Sequence, residues 1–234
     1  MRYLITRPEE DAETLAAAVR ALGHEVTIDS MLRIRSFDDV QLDTDGVQAL
    51  LFSSANGVRA FADISLNRRT PVYTVGDASA AVARDLGFRR VHAAGGDVGS
   101  LARLVAEALK PDDGILMHVS GTVVARELKD LLQEDGFSVF RVRLYESEPA
   151  TRLSPQTLTH MRRGEIEGAL FYSPRSAQIF SDLIIENSLT ESCRQIRALC
   201  LSEAVAEVAD RLPWKHIRVA AAPSQVAMLE LLTS

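Results

Sequence analysis

Leu51-Phe52-Ser53-Ser54-Ala55-Asn56-Gly57-Val58-Arg59-Ala60-Phe61 and Leu170-Phe171-Tyr172-Ser173-Pro174-Arg175-Ser176-Ala177-Gln178-Ile179-Phe180 are two versions of one phrase. Each is an apolar run ending at a serine, then a helical pattern with a phenylalanine seven residues beyond that serine. The later copy lies 119 residues downstream. A second pair matches Leu15 to Gly23, then Val26, with Leu128 to Gly136, then Val139, at a spacing of 113. The N-terminal unit therefore corresponds to the last unit of the middle segment, so the repeat comes in shuffled order. This arrangement predicts two similar lobes, one inserted into the other, with a cleft between them.

Outward from these phrases, strands and helices alternate. Tyr3 to Thr6 reads as a short strand, Pro8 as a first helical residue, and Glu9, Glu10 and Asp11 as acids suited to the positive first turn. Leu15, Ala18, Val19 and Leu22 recur at helical spacing, and Gly23 supplies a left-handed stop. Glu25 to Ile28 returns as a strand, and Leu32-Arg33-Ile34-Arg35 alternates like an exposed ribbon rather than a buried strand. Further strands are expected at 49–53, 72–75, 91–93, 115–119 and 138–145, then at 169–172, 198–201 and 218–221, each but one leading into a helix. Glu146-Ser147-Glu148-Pro149 is expected to break the pattern. Strands alternating with helices imply an α/β fold with parallel sheets covered on both faces. The expected lobes are 1–34 plus 153–234 and 38–144, with crossings near 33–44 and 145–152.

At 234 residues the chain is long enough to bury about 70–75% of its unfolded surface without a metal or disulfide staple. Hydrophobic residues at 47% and charged residues at 25% are the proportions of a soluble globular protein. Cys193 and Cys200 suit no zinc spacing and read as buried, reduced thiols, while the five histidines are scattered, so neither a metal site nor a cofactor is expected. The apolar part of the N-terminus is too short for a signal peptide, and no apolar stretch approaches the roughly 20 residues that span a bilayer. With 26 basic against 32 acidic residues the net charge is −6, which leaves no nucleic-acid footprint. The expectation is a cytoplasmic protein with no membrane or nucleic-acid partner.

In open parallel sheets, ligands collect beyond the carboxyl ends of the strands. Small hydroxyl residues recur there: Ser53, Ser54, Ser79, Ser120, Ser173, Ser202 and Ser224. Taken singly, each serine reads most simply as the cap of its own helix. Many helix starts together form an anion-binding surface without cationic side chains. Arg7, Arg59, Arg126 and Arg175 lie near such ends and read more simply as surface charges. Gly95-Gly96-Asp97-Val98-Gly99 lacks the dinucleotide spacing, and no Gly-x-Ser-x-Gly elbow or Ser–His–Asp set is present.

Leu4-Ile5-Thr6-Arg7-Pro8, Leu51 to Val58, Val72-Tyr73-Thr74-Val75-Gly76 and Ala169 to Pro174, in this order and spacing, resemble the uroporphyrinogen-III synthase family across nearly the whole chain. The resemblance implies two flavodoxin-like parallel-sheet lobes joined by a two-stranded ribbon. It also implies closure of linear hydroxymethylbilane to the macrocycle, with loss of water and inversion of ring D, in tetrapyrrole biosynthesis. By motif it carries over Tyr145 as a candidate general acid, with a packed aromatic as the rival reading. Arg7, Ser54, Asn56, Ser79, Ser120, Ser173, Arg175 and Ser202 are the expected substrate-binding set, with no cofactor. Cys200-Leu201-Ser202-Glu203 departs from the family's Gly-Pro before the hydroxyl, and Glu203 is placed outside the site. A monomer in transient contact with the bilane-producing enzyme is the implied setting. The competing reading is a non-catalytic two-lobed sensor of an anionic small molecule.

Overall fold

The structure is a computed structural model that describes residues 1–37, 39–122 and 128–233. In chain order the first elements are β1 (Arg2–Ile5), α1 (Glu9–Ala21), β2 (Glu25–Ile28) and β3 (Leu32–Ser36). The middle of the chain forms β4 (Val47–Phe52), α2 (Ala55–Ile64), β5 (Val72–Thr74), α3 (Asp77–Asp85), β6 (Val91–Ala93), α4 (Val98–Ala108), β7 (Ile115–Gly121), α5 (Leu128–Glu134) and β8 (Val139–Pro149). The rest forms α6 (Pro155–Arg162), β9 (Gly168–Phe171), α7 (Pro174–Glu186), β10 (Arg197–Cys200), α8 (Glu203–Ala209), β11 (His216–Val219) and α9 (Gln225–Thr233).

Two compact units result, 1–33 with 148–234, and 34–147. The first holds a five-stranded sheet in the order β11-β10-β9-β1-β2, and the second a six-stranded sheet in the order β3-β8-β7-β4-β5-β6. Within the first, β2–β1, β1–β9, β9–β10 and β10–β11 pair in parallel. Within the second, β8–β7, β7–β4, β4–β5 and β5–β6 do the same. The first unit thus has the flavodoxin-like order 2-1-3-4-5. The second repeats it from a different starting strand, with β7 and β8 in the places of β1 and β2.

Register makes the correspondence residue by residue. Ile5 pairs with Leu170 on β9, and His118 pairs with Leu51 on β4. Gly23 and Gly136, which end the matched helices, have φ of +82° and +84°, the left-handed conformation in which a Cβ is penalised. Strand alternation sorts the cores onto two faces of each sheet. Leu4, Ala169 and Phe171 pack with Phe180 on one face of the first sheet, while Tyr3, Ile5 and Leu170 pack with Leu15 and Met228 on the other. In the second sheet Leu50, Phe52, Met117 and Val119 pack with Phe61, while Ala49, Leu51 and Leu116 pack with Leu101 and Leu132.

Leu32 to Arg35 is, as an exposed ribbon requires, a strand at the edge of the six-stranded sheet, with Leu32 buried and Arg33 and Arg35 exposed; one-sided burial at an edge produces the alternation. One expectation needs correction and one helix was missed. Glu146 to Pro149 continues β8 instead of breaking it, since Arg35 offsets the Glu146 charge at 3.3 Å and proline is tolerated at a strand end. Helix α6 was not expected, although Ser154-Pro155 repeats the cap-and-proline signal of Ser173-Pro174, and the Ser154 hydroxyl accepts from the Thr157 amide at 3.1 Å.

Candidate functional site

Phe52 ends β4 inside the core, and Ser53-Ser54 turns the chain into α2. Ser54 occupies the N-cap position with extended backbone, yet its side chain makes no cap hydrogen bond. Its hydroxyl instead lies 2.9 Å from the Tyr145 hydroxyl. No acid occupies the first turn of α2. That helix start therefore keeps positive dipole character uncancelled by its own sequence.

Tyr145 reaches Ser54 because of an irregularity in β8. Ser120 on β7 pairs with Arg143, but Gly121 pairs with Tyr145, so Leu144 is passed over. Strict alternation would send Tyr145 to the face opposite Val142 and Leu144. The register shift returns it to their side, where all three join the core around Phe52 and Phe61. The residue is 7% exposed. Burial raises its phenol above the ordinary value of 10.0, with the Ser54 hydrogen bond and the Gly121 backbone pulling the other way. The group keeps its proton throughout the neutral range.

The matching point of the first unit is built differently. Ser173 is a working cap: it accepts from the Ser176 amide at 3.1 Å and lies 3.0 Å from the Ser176 hydroxyl. Beside it, at the end of β1, the Arg7 guanidinium sits 4.5 Å over the Tyr172 ring and 2.7 Å from the Asp11 carboxylate. Burial pushes the Tyr172 phenol up to about 12, the Arg7 charge offsetting part of that shift. Arg7 is thus committed to an ion pair and a ring face, not held as an isolated surface charge.

The family assignment comes from the whole chain. The family model for uroporphyrinogen-III synthase HemD matches residues 13–230. The chain belongs to the uroporphyrinogen-III synthase family. This family consists of cyclising lyases that act on a linear tetrapyrrole. The fold agrees: the chain is similar to uroporphyrinogen-III synthetase from Helicobacter pylori, at 18% identity and a TM-score of 0.62, covering 100% of this chain and 99% of that one. It is also similar to a mutant uroporphyrinogen III synthase from the extremely thermophilic bacterium Thermus thermophilus, at 16% identity and a TM-score of 0.58, covering 100% and 97%. No curated protein sequence matches significantly. No helix among the described residues is long and apolar enough to cross a membrane.

The expected site residues separate into groups. Ser54 and Tyr145 are brought together. The Asn56 side-chain oxygen is engaged by Arg59 at 2.9 Å, so the two form a local pair on α2. Ser202 starts α8 without a side-chain cap, directly before Glu203. Arg175 lies in the first turn of α7 and is half-buried. Arg126 falls outside the described residues.

Two serines do not stand at a helix start. Ser79 is the third residue of α3 and is buried, the N-cap being Gly76. Ser120 lies inside β7 and is fully buried; it donates to the Gly121 carbonyl at 3.1 Å and accepts from Arg141 Nε at 2.8 Å. The strand runs two residues further than expected, which converts an expected cap into a strand-to-strand tie. Sequence reasoning also missed Arg141, which holds the Gly121 carbonyl at 3.1 Å. It missed His118 as well, which is 1% exposed, has no partner for either ring nitrogen among the described residues and, through burial and then the Arg141 charge, is lowered to about 4. Strand alternation places these groups, and no local signal announced them.

Proposed function

We propose that the chain closes hydroxymethylbilane to uroporphyrinogen III, and that Tyr145 protonates the departing hydroxyl with Ser54 as its hydrogen-bond partner. The carrying observation is the 2.9 Å contact between these hydroxyls at a helix start that Ser54 does not cap. Loss of the substrate hydroxyl as water takes the phenolic proton, and the pyrrole nitrogen supplies the electron pair that forms an azafulvene. The substituted carbon of ring D attacks it to give a spirocyclic pyrrolenine. The bond to the neighbouring ring then breaks and re-forms at the free carbon of ring D. That carbon sheds its proton as aromaticity returns, which restores the phenol and balances the loss of one water.

A buried phenol is a weak acid, so the site's chief task is discrimination. The bilane also closes unaided to the uninverted isomer, and the protein needs to favour one transition state over a near competitor. The substrate's carboxylates meet a chain of net charge −6, so local dipoles carry recognition. A helix start such as that of α2 contributes about 0.3–1 kcal/mol to an anion, rising to about 2 when partly buried. Arg7, Asn56, Arg175 and Ser202, at or near strand ends, complete the proposed substrate-binding set. Ser79 and Ser120, both buried, and Ser173, which caps α7, act as supports. A cytoplasmic monomer receiving its substrate by transient contact with the bilane-producing enzyme is the setting this reading adopts.

The test is isomer analysis. Hydroxymethylbilane generated in situ is mixed with purified chain, and the oxidised products are resolved into porphyrin isomers I and III. The expected result is predominantly isomer III. Isomer I alone, at the rate of the blank, contradicts the proposal.

A further inference from the structure

Two positions beside Tyr145 carry no side chain, and backbone conformation explains neither. Gly57 lies in the first turn of α2 and Gly121 ends β7, and neither has a positive φ. Space is the reason. A Cβ on Gly121 would stand 2.8 Å from Tyr145 Cε2 and 3.0 Å from Cζ. A Cβ on Gly57 would meet the Val119 carbonyl oxygen at 3.2 Å, Phe52 Cδ1 at 3.3 Å and Tyr145 Cε1 at 3.7 Å. The ring therefore lies in a slot with one wall from β7 and one from α2.

The Gly121 wall is itself braced. Arg141 on β8 donates from Nε to Ser120 Oγ at 2.8 Å and from a terminal nitrogen to the Gly121 carbonyl at 3.1 Å. Ser120 donates to that same carbonyl at 3.1 Å. The amide of Thr122, next in the chain, donates to the Tyr145 carbonyl at 3.1 Å. Gly121 is also the residue opposite the register shift that turns Tyr145 inward. In the first unit the position matching Gly57 is Ser176, whose hydroxyl partners the Ser173 cap. The slot belongs to one repeat only.

We propose that Gly121 is a positioning residue for the Tyr145 hydroxyl, that Arg141 acts through Gly121 to hold one wall of the slot, and that Gly57 supports the other wall by letting α2 close against the Val119 carbonyl and Phe52. This rests on the reading of Tyr145 as proton donor. Displacing a reacting group by about 1 Å lowers turnover about 10²-fold, and a Cβ at Gly121 forces a shift of that order on the ring. The spontaneous route to isomer I is not slowed, so the product partition moves as well.

The experiment compares Gly121→Ala, Tyr145→Phe and the double variant in the full chain. It measures kcat, KM and the isomer III to isomer I ratio, with thermal melting as a control on folding. The four tyrosines are labelled with 3-fluorotyrosine and assigned by single Tyr→Phe changes, so 19F NMR reports the ring's surroundings directly. Gly121→Ala is expected to lower kcat with little change in KM, raise the share of isomer I, shift the Tyr145 resonance and add nothing in the Tyr145→Phe background. Wild-type partition with an unmoved resonance overturns the inference, as does a further loss in the Tyr145→Phe background. A silent Tyr145→Phe overturns the underlying reading too, whereas a strong Tyr145→Phe beside a silent Gly121→Ala overturns the slot alone. Should Gly121→Ala fail to fold, Gly57→Ala and Arg141→Met carry the same test, each expected to shift the resonance and partition in the same sense, more weakly.

Discussion

The starts of α2 and α7 descend from the same sequence phrase, and they use the same serine for opposite ends. Ser173 satisfies its own helix through the Ser176 amide, as an isolated serine at that position should. Ser54 leaves its helix start uncapped and spends its hydroxyl on Tyr145. The difference lies in two neighbours. Ser176 supplies a local hydroxyl where the other repeat has Gly57, and Gly57 leaves room beside the ring of Tyr145. A local rule decides one site; a contact between residues 91 positions apart decides the other.

The contrast breaks most readily at the tyrosine. Tyr145→Phe is expected to lower isomer III formation by about 10²-fold, the lower end of general acid contributions. It removes one hydrogen bond from the fold, a loss of about 0.5–1.5 kcal/mol by thermal or denaturant unfolding. A loss of activity that vanishes when the protein is cooled well below its melting range would point to packing instead.

The paired serines sharpen the comparison. Ser54→Ala is expected to lower turnover by about 10-fold, the value of about 1.4 kcal/mol of transition-state support, with no cap lost from α2. Ser173→Ala is expected to leave turnover within about twofold while removing about 1 kcal/mol of stability, the ordinary worth of a cap. Activity and denaturant midpoints measured on both variants decide it. Equal effects at the two sites would mean that both serines serve the same purpose.

A third contrast sits in the strands. Ile5 and His118 occupy the same register, one an apolar residue and the other a buried imidazole with no partner among the described residues. Because burial lowers His118 to about 4 from 6.5, the unfolded state binds more protons between those values, so stability is present above pH 6.5 and is lost as pH falls toward 4. His118→Ile is expected to flatten stability over that window and to add about 1–3 kcal/mol at neutral pH by removing unsatisfied polar atoms. Urea unfolding at pH 7 and pH 4.5 measures both effects. The smallest expected difference is between the stops: Gly23→Ala and Gly136→Ala, at φ of +82° and +84°, should destabilise equally, by about 1 kcal/mol each.

The fold was legible because its signals are local and doubled. Leu15 to Gly23 and Leu128 to Gly136 each announce a helix and its left-handed stop, and their spacing against the Phe52 and Phe171 phrases gives the shuffled order. The site was legible only in part. Tyr145 and Ser54 could be named separately, but the passed-over Leu144 that turns Tyr145 inward leaves no trace in composition or periodicity. Ser120 misled for a related reason: a serine before a glycine reads as a helix start, while pairing with β8 and the reach of Arg141 keep it in the strand.

The role of Tyr145 is decided by the isomer partition under single-turnover conditions, with bilane held below enzyme, for the native chain and Tyr145→Phe side by side. Nearly pure isomer III is expected from the native chain and a large share of isomer I from the variant, since the unaided route overtakes a closure deprived of its acid. The same isomer III fraction formed at the same rate by both proteins would contradict that role.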